Sequence, residues 1–189
     1  MTFIRMAGCN LACVWCDQPD TIHEGYEDLH GRVWNLSFKK MSVADIMEAV
    51  PVSVERVCLT GGEPCAHKLS ELVGVLHTML HKVHVESNGT LHPDWLDWVD
   101  HLVVSPKREK EVPVSVLRKA AELKFIVDET FKIEEALRYA RDFVGPVYLS
   151  PVNFQTNLDK VSVKRAVAMV LKHPQFRLTM QLHKILDIK

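Results

Sequence analysis

Three of the five cysteines stand within eight residues, as Cys9-Asn10-Leu11-Ala12-Cys13-Val14-Trp15-Cys16. Three thiolates on one short loop reach a single metal centre without long-range folding. A disulfide framework would place paired cysteines across a secreted chain, and this odd, crowded set does not. A structural zinc site wants four protein ligands. Cys58 and Cys65 flank a different strand end and His23 is isolated, so none of them completes such a site nearby. Three thiolates with one open position suit a 4Fe–4S cluster whose fourth iron stays free to take a ligand. The competing reading is three buried, inert thiols, common for single cysteines and ill suited to this spacing.

Two further features have chemical content. Gly61-Gly62-Glu63-Pro64 lies between a strand and a helix, where paired glycines allow a ligand close to the backbone. The carboxyl ends of strands are also where α/β folds place ligands, although a Gly-Gly turn alone is more often structural. Arg5 sits in an otherwise apolar strand, which is costly without a partner. A fixed anion would supply one through a bidentate fork; the alternative is an Arg at the strand's edge reaching solvent.

The elements that must hold these residues alternate between strand and helix. Strands are expected at Thr2–Ala7, Arg56–Thr60, Val83–Ser87, Leu102–Ser105, Leu123–Asp128, Val147–Ser150 and Arg177–Leu182. Several are nearly continuous apolar runs, as parallel strands covered on both faces would be. Helices are expected over Val43–Val50 (with Ser42 as N-cap), Leu69–Leu80, Ile133–Phe143 and Ser162–His173, each with apolar residues at helical spacing. This rhythm predicts βα units. The 189 residues are too few for eight full units of a closed barrel, which takes about 250. The expected fold is therefore α/β, an open, partial (βα) barrel shortened relative to a full one, with a doubly wound sheet as the alternative. One domain spanning 1–189 is expected, with 24–40 as an inserted active-site loop. Lys107–Glu111 reads as a solvated charged loop.

Composition narrows the function classes. With 47% apolar residues and a net charge of −1, the chain has no global drive towards nucleic acid or an anionic membrane. No uncharged apolar run is long enough to span a bilayer. The start, Met1-Thr2-Phe3-Ile4-Arg5-Met6, lacks the long apolar stretch of a signal peptide, which predicts a cytoplasmic protein.

The cysteine spacing resembles that of the radical S-adenosylmethionine (SAM) superfamily. Neighbouring motifs narrow the resemblance: Phe3 to Leu11, Trp15-Cys16-Asp17, Leu59 to Pro64, Glu86-Ser87-Asn88-Gly89-Thr90, Ser105-Pro106-Lys107 and the terminal Gln181-Leu182-His183-Lys184. In that order they look like the 7-carboxy-7-deazaguanine synthase family of the deazapurine (queuosine) pathway. The resemblance implies a radical SAM lyase that converts 6-carboxy-5,6,7,8-tetrahydropterin to 7-carboxy-7-deazaguanine with loss of ammonia. It assigns Cys9, Cys13 and Cys16 to three irons and leaves the fourth for SAM, whose one-electron cleavage yields a hydrogen-abstracting radical.

By the same resemblance Trp15, Asp17, Gly61, Gly62, Glu63, Glu86, Asn88, Ser105, Pro106, Lys107, Ser150, Pro151, Val152 and Asn153 line SAM. Arg5 grips the substrate carboxylate, Thr60 faces the pterin, and His183 and Lys189 approach it from the chain end. From the residues alone Trp15 and Asp17 read equally as a packed ring and a turn carboxylate, and Asn88 as part of an Asn-Gly turn. Ser150 stands where the family often has Gln. Gln18 stands where the family's Mg²⁺ ligand is typically Thr; an amide oxygen can serve a hard cation. The family carries a Gln-Gly-Glu-Gly segment before the first strand, absent from the numbered chain, so either that chain is shortened or substrate binding is completed differently. The resemblance also implies a flavodoxin- or ferredoxin-type electron donor, a homodimer, and neither nucleic acid nor membrane as partner. The alternatives are an activase that places a glycyl radical on a partner protein, and a non-catalytic Fe–S or zinc binding module.

Overall fold

The computed structural model describes residues 1–185 apart from 29, 109, 155 and 156. Seven strands form one sheet: β1 (Thr2–Met6), β2 (Arg56–Gly61), β3 (Lys82–Ser87), β4 (His101–Val104), β5 (Glu122–Val127), β6 (Val147–Pro151) and β7 (Phe176–Leu178). Every neighbouring pair is parallel, and spatial order follows chain order. A doubly wound sheet reverses its strand order at a switch point. This one never does and is not closed, so it is a partial barrel.

The crossovers carry α1 (Val43–Ala49), α2 (Ser70–Thr78), a 3₁₀ turn at Asp94–Trp98, α3 (Val114–Lys119), α4 (Ile133–Ala140) and α5 (Lys160–Lys172). Local chemistry starts two of these helices. Ser42 and Asp45 form a reciprocal capping box on α1. Asp159 accepts from the Val161 and Ser162 N–H groups at the start of α5. Helix α3 was not expected from the sequence, because six residues show too little of a helical period.

The strands alternate more than their apolar runs suggested. Val57 and Leu59, Val83 and Val85, Leu102 and Val104, and Leu123 and Val127 are fully buried and join the core. Residues of opposite parity, Thr60, Glu86, Val103, Lys124 and Tyr148, line a cavity. Only one face is packed as a core. The other is a polar wall, which is how a half-barrel differs from a sheet covered on both sides.

The chain end departs from expectation. Strand β7 stops at Leu178, short of the expected Leu182, and Leu182–Ile185 forms a short helix, α6, which carries His183. The Thr179 N–H donates to the Leu149 carbonyl at 3.1 Å. The next ladder bond would need an N–H from position 151, which is Pro151 and has none. The ladder ends there.

Candidate active site

A cavity of about 770 Å³ opens on the inner face of the sheet, chiefly towards the C-terminal strand ends. This suits one small ligand with a cofactor beside it. Cys9, Cys13 and Cys16 all line it, on the loop that follows β1.

Backbone contacts fix that loop. The N–H groups of Gly8 and Cys9 donate to the carbonyls of Thr21 (2.7 Å) and Ile22 (3.1 Å), and Cys16 N–H closes a turn on Cys13 O at 2.8 Å. The Tyr26 hydroxyl donates to Cys13 O at 2.7 Å. Tyr26 belongs to a small ribbon, Tyr26–Glu27 with Val33–Trp34, in the segment expected to be an active-site loop. None of the described residues of 24–40 lines the cavity. The segment braces the cysteine loop from behind.

Paired glycines bring β2 against the same loop. Gly62 N–H donates to Met6 O and Glu63 N–H to Gly8 O, both at 2.8 Å. A Cβ on Gly61, at φ +104°, would sit 2.5 Å from the Met6 backbone, and one on Gly62 would collide with the Gly8 carbonyl. What approaches these glycines closely is therefore the chain's own backbone. Gly62→Ala is expected to shift the cysteine loop and destabilise the protein by about 1–3 kcal/mol. Reconstituted iron content should fall with it; full iron at unchanged melting temperature would count against this account.

Glu63 sits behind the cavity wall and is only 1% exposed. Its carboxylate accepts from Cys65 N–H (2.9 Å), Ser87 Oγ (2.8 Å) and Asn88 N–H (2.7 Å). It joins the loop after β2 to the loop after β3. From there the Asn88 side-chain amide donates to Asn10 Oδ1 at 2.9 Å, inside the cysteine motif.

The thiols have donors aimed at them. Leu11 N–H points at Cys9 Sγ and Gln18 N–H at Cys16 Sγ, each at 3.4 Å. Such N–H···S contacts stabilise ligating thiolates and tune a cluster. Burial pushes the Cys16 thiol up to about 12, with Asp17, Cys13 and Cys9 adding to the shift. Burial also raises Cys9, the Leu11 N–H opposing it. Both ligands must give up protons as iron is loaded.

Among the described residues no three His, Cys, Asp or Glu side chains converge on one metal ion. A zinc ion would need thiolates converging at about 2.3 Å. In a cluster each thiolate takes its own iron. The donor set therefore fits a cluster better than a single ion.

Ser105-Pro106-Lys107 follows β4. The Lys107 ammonium donates to Ser105 Oγ at 2.7 Å and lies 5.3 Å from the Trp15 ring centre, a cation–π contact. Burial pushes the Lys107 pKa down, while Cys13, Asp17 and Cys16 oppose that shift. Glu86 pairs with Lys124 at 3.2 Å. Arg5 is exposed on the inner face and donates to Gln18 Oε1 at 3.2 Å.

Of the expected site residues, Arg5, Trp15, Asp17, Gln18, Thr60, Gly61, Gly62, Glu86, Asn88, Ser105, Lys107 and Ser150 share this cavity with the three cysteines. Glu63, Pro106, Pro151, Val152 and Asn153 do not line it. Pro106 borders a separate hollow beside α4. Val152 and Asn153 lie past the end of β6 and are buried. Lys189 and the His183 side chain lie outside the described residues. Sequence reasoning missed Phe3, Lys124, Tyr148 and Gln181 as lining residues. The signal for Lys124 and Tyr148 was their period-2 place in otherwise apolar strands.

A half-barrel of parallel strands with three cysteines on its first loop defines a radical SAM protein, and the sequence model of the radical SAM superfamily matches residues 3–105. Relatives include the 7-carboxy-7-deazaguanine synthase of Aquifex aeolicus, 31% identical over 202 residues, which cover 99% of this chain and 84% of that protein. The 7-carboxy-7-deazaguanine synthase of Bradyrhizobium diazoefficiens is 32% identical over 211 residues, covering 99% and 89%. The crystal structure of QueE from Escherichia coli superposes with a TM-score of 0.69 at 25% identity, over 95% of this chain and 84% of that one. The chain belongs to the 7-carboxy-7-deazaguanine synthase family of the radical SAM superfamily.

Proposed function

We propose that this chain converts 6-carboxy-5,6,7,8-tetrahydropterin to 7-carboxy-7-deazaguanine with loss of ammonia. The observation that carries the reading is that Cys9, Cys13 and Cys16 open onto the same cavity as Arg5, Thr60, Glu86 and Lys107. The cysteines hold a 4Fe–4S cluster, and SAM binds beside it. When bound, the cluster and SAM supply one-electron cleavage of a carbon–sulfur bond and hydrogen-atom abstraction.

The chain's own residues bind and orient. Glu86 offers its carboxylate to ribose hydroxyls, while Lys107, held over Trp15, puts a half-buried cation near the carboxylate end of SAM. Thr60 faces the substrate. Arg5 presents a fork to the substrate carboxylate, which displaces the weaker amide contact to Gln18. Mg²⁺ enters only through Gln18, whose oxygen already accepts from Arg5. A cation there must share that oxygen with a guanidinium, so the reading takes Mg²⁺ as an accessory. A flavodoxin- or ferredoxin-type electron donor, a homodimer and a cytoplasmic setting come with the family likeness. Among the described residues no helix is long and apolar enough to cross a membrane.

The test is anaerobic turnover of the carboxypterin with SAM and a reductant, with the product read by mass. Formation of 5′-deoxyadenosine without any deazaguanine product would sink the substrate assignment while leaving the radical SAM class intact. Arg5→Lys should keep the cluster and SAM cleavage but raise substrate KM about 10-fold, since one ammonium cannot reproduce a bidentate fork. An unchanged KM would make Arg5 structural.

A further inference from the structure

Among the described residues three carboxylates and three cationic side chains line the cavity, and they are engaged unevenly. Asp17 accepts from Gln181 Nε2 at 2.7 Å, and Glu122 lies 3.1 Å from His101 Nε2. Arg5 donates to Gln18 and Lys107 to Ser105. Glu86 and Lys124 meet each other, Oε1 to Nζ at 3.2 Å. The pair reaches across a strand. Glu86 stands on β3, Lys124 on β5, and the β4 residue directly opposite Glu86 is Val103. Glu122, the β5 residue opposite Val103, is turned to His101, so the ammonium comes from two residues further along. Leu123 and Phe125, on either side of Lys124, are buried in the core, and the period of the strand turns Lys124 to the cavity face. A lysine in an apolar strand is costly without a partner, and Glu86 supplies one.

The acid is what this pair presents to a ligand. Glu86 keeps 43% of its side chain open, Lys124 only 23%. An ionised carboxylate offers about four acceptor sites; the ammonium takes one and leaves the rest for hydroxyl donors. An unheld Glu side chain loses rotamer freedom when a ligand fixes it. One that is already held does not, and the affinity gained is that of preorganisation. We infer that Lys124 is a positioning residue, which holds the Glu86 carboxylate across Val103 for the ribose hydroxyls of SAM and does not itself touch SAM. The inference rests on the role given to Glu86 above. A lysine that gripped a ligand carboxylate would have to let go of Glu86, and Arg5 and Lys107 already stand for the two carboxylates of SAM and substrate.

The experiment is equilibrium binding to the cluster-loaded protein of S-adenosylhomocysteine, which is not cleaved, and of its analogue lacking both ribose hydroxyls. The native protein should prefer the hydroxyl-bearing ligand by about 10-fold. Lys124→Met keeps an unbranched stem and removes the charge; it should cost about 5-fold for that ligand and under about 2-fold for the analogue. Lys124→Arg should restore most of the loss, and with Glu86→Gln in place Lys124→Met should change neither affinity further. Equal losses for both ligands, or a loss that persists in the Glu86→Gln background, would overturn the proposal. So would unchanged affinity for both ligands in Lys124→Met. Lys124→Gln is read in the same way, so the comparison stands if the Met variant does not hold its cluster. A native protein that fails to distinguish the two ligands would remove the role of Glu86, and the proposal with it, while leaving the pterin assignment in place.

Discussion

Cys13→Ala is expected to abolish the brown chromophore and SAM cleavage while leaving the fold in place. The expectation rests on what the residue does apart from its sulfur. Its carbonyl accepts from the Tyr26 hydroxyl and the Cys16 N–H, and both bonds survive in Ala. The loop should keep its shape and lose one of three thiolates, which leaves two irons of the cluster without a protein ligand. Iron and sulfide counts after anaerobic reconstitution, set beside an unchanged circular dichroism spectrum, make the measurement. A full complement of four irons with SAM cleavage intact would end the assignment. Cys58→Ala and Cys65→Ala are the controls. Burial raises both thiols to about 12, neither lines the cavity, and iron content should be unchanged in each.

The second large effect is expected at Glu63. Glu63→Ala removes the acceptor for two backbone N–H groups and a hydroxyl in a region closed to water. Each buried donor left unpaired costs about 1–3 kcal/mol, so a loss of about 3 kcal/mol or more is expected in denaturant unfolding of the cluster-free protein. Glu63→Gln keeps the volume but must turn its NH₂ towards a donor on one side or the other, because both oxygens now accept. It should be destabilising too, though less so. A change within about 0.5 kcal/mol for Glu63→Ala, the range of an ordinary surface substitution, would show that these loops are held by other means.

Much of this architecture is legible in the sequence. The alternation of apolar runs with helical periods indicated parallel βα units, and the spacing of Cys9, Cys13 and Cys16 indicated a cluster. Glu63 was read as facing SAM because sequence places a residue at a strand end and not on a side of it; its carboxylate in fact serves Ser87 and Asn88 on the next loop, a pairing across 24 and 25 positions. The glycines at 61 and 62 were read as clearance for a ligand, when the clearance is for Met6 and Gly8. The composition of Arg177 to Leu182 is β-like throughout, yet the strand ends at Leu178, because the ladder's end depends on Pro151 in a different strand. In each case the missing information is which distant segment lies alongside.

The contact between Asp17 and Gln181 spans 164 positions. Closing so long a loop costs only about 2 kcal/mol more than closing one of 20 residues, because the entropy grows with the logarithm of length. The cost falls instead on timing. The ribosome releases the cysteine loop early and Gln181 late, at about 5–20 residues per second. For that interval β1 to β6 can assemble by short crossovers while the β7 side of the cavity stands open beside three unligated thiols. That lag is when the thiols are most accessible to solvent and to iron.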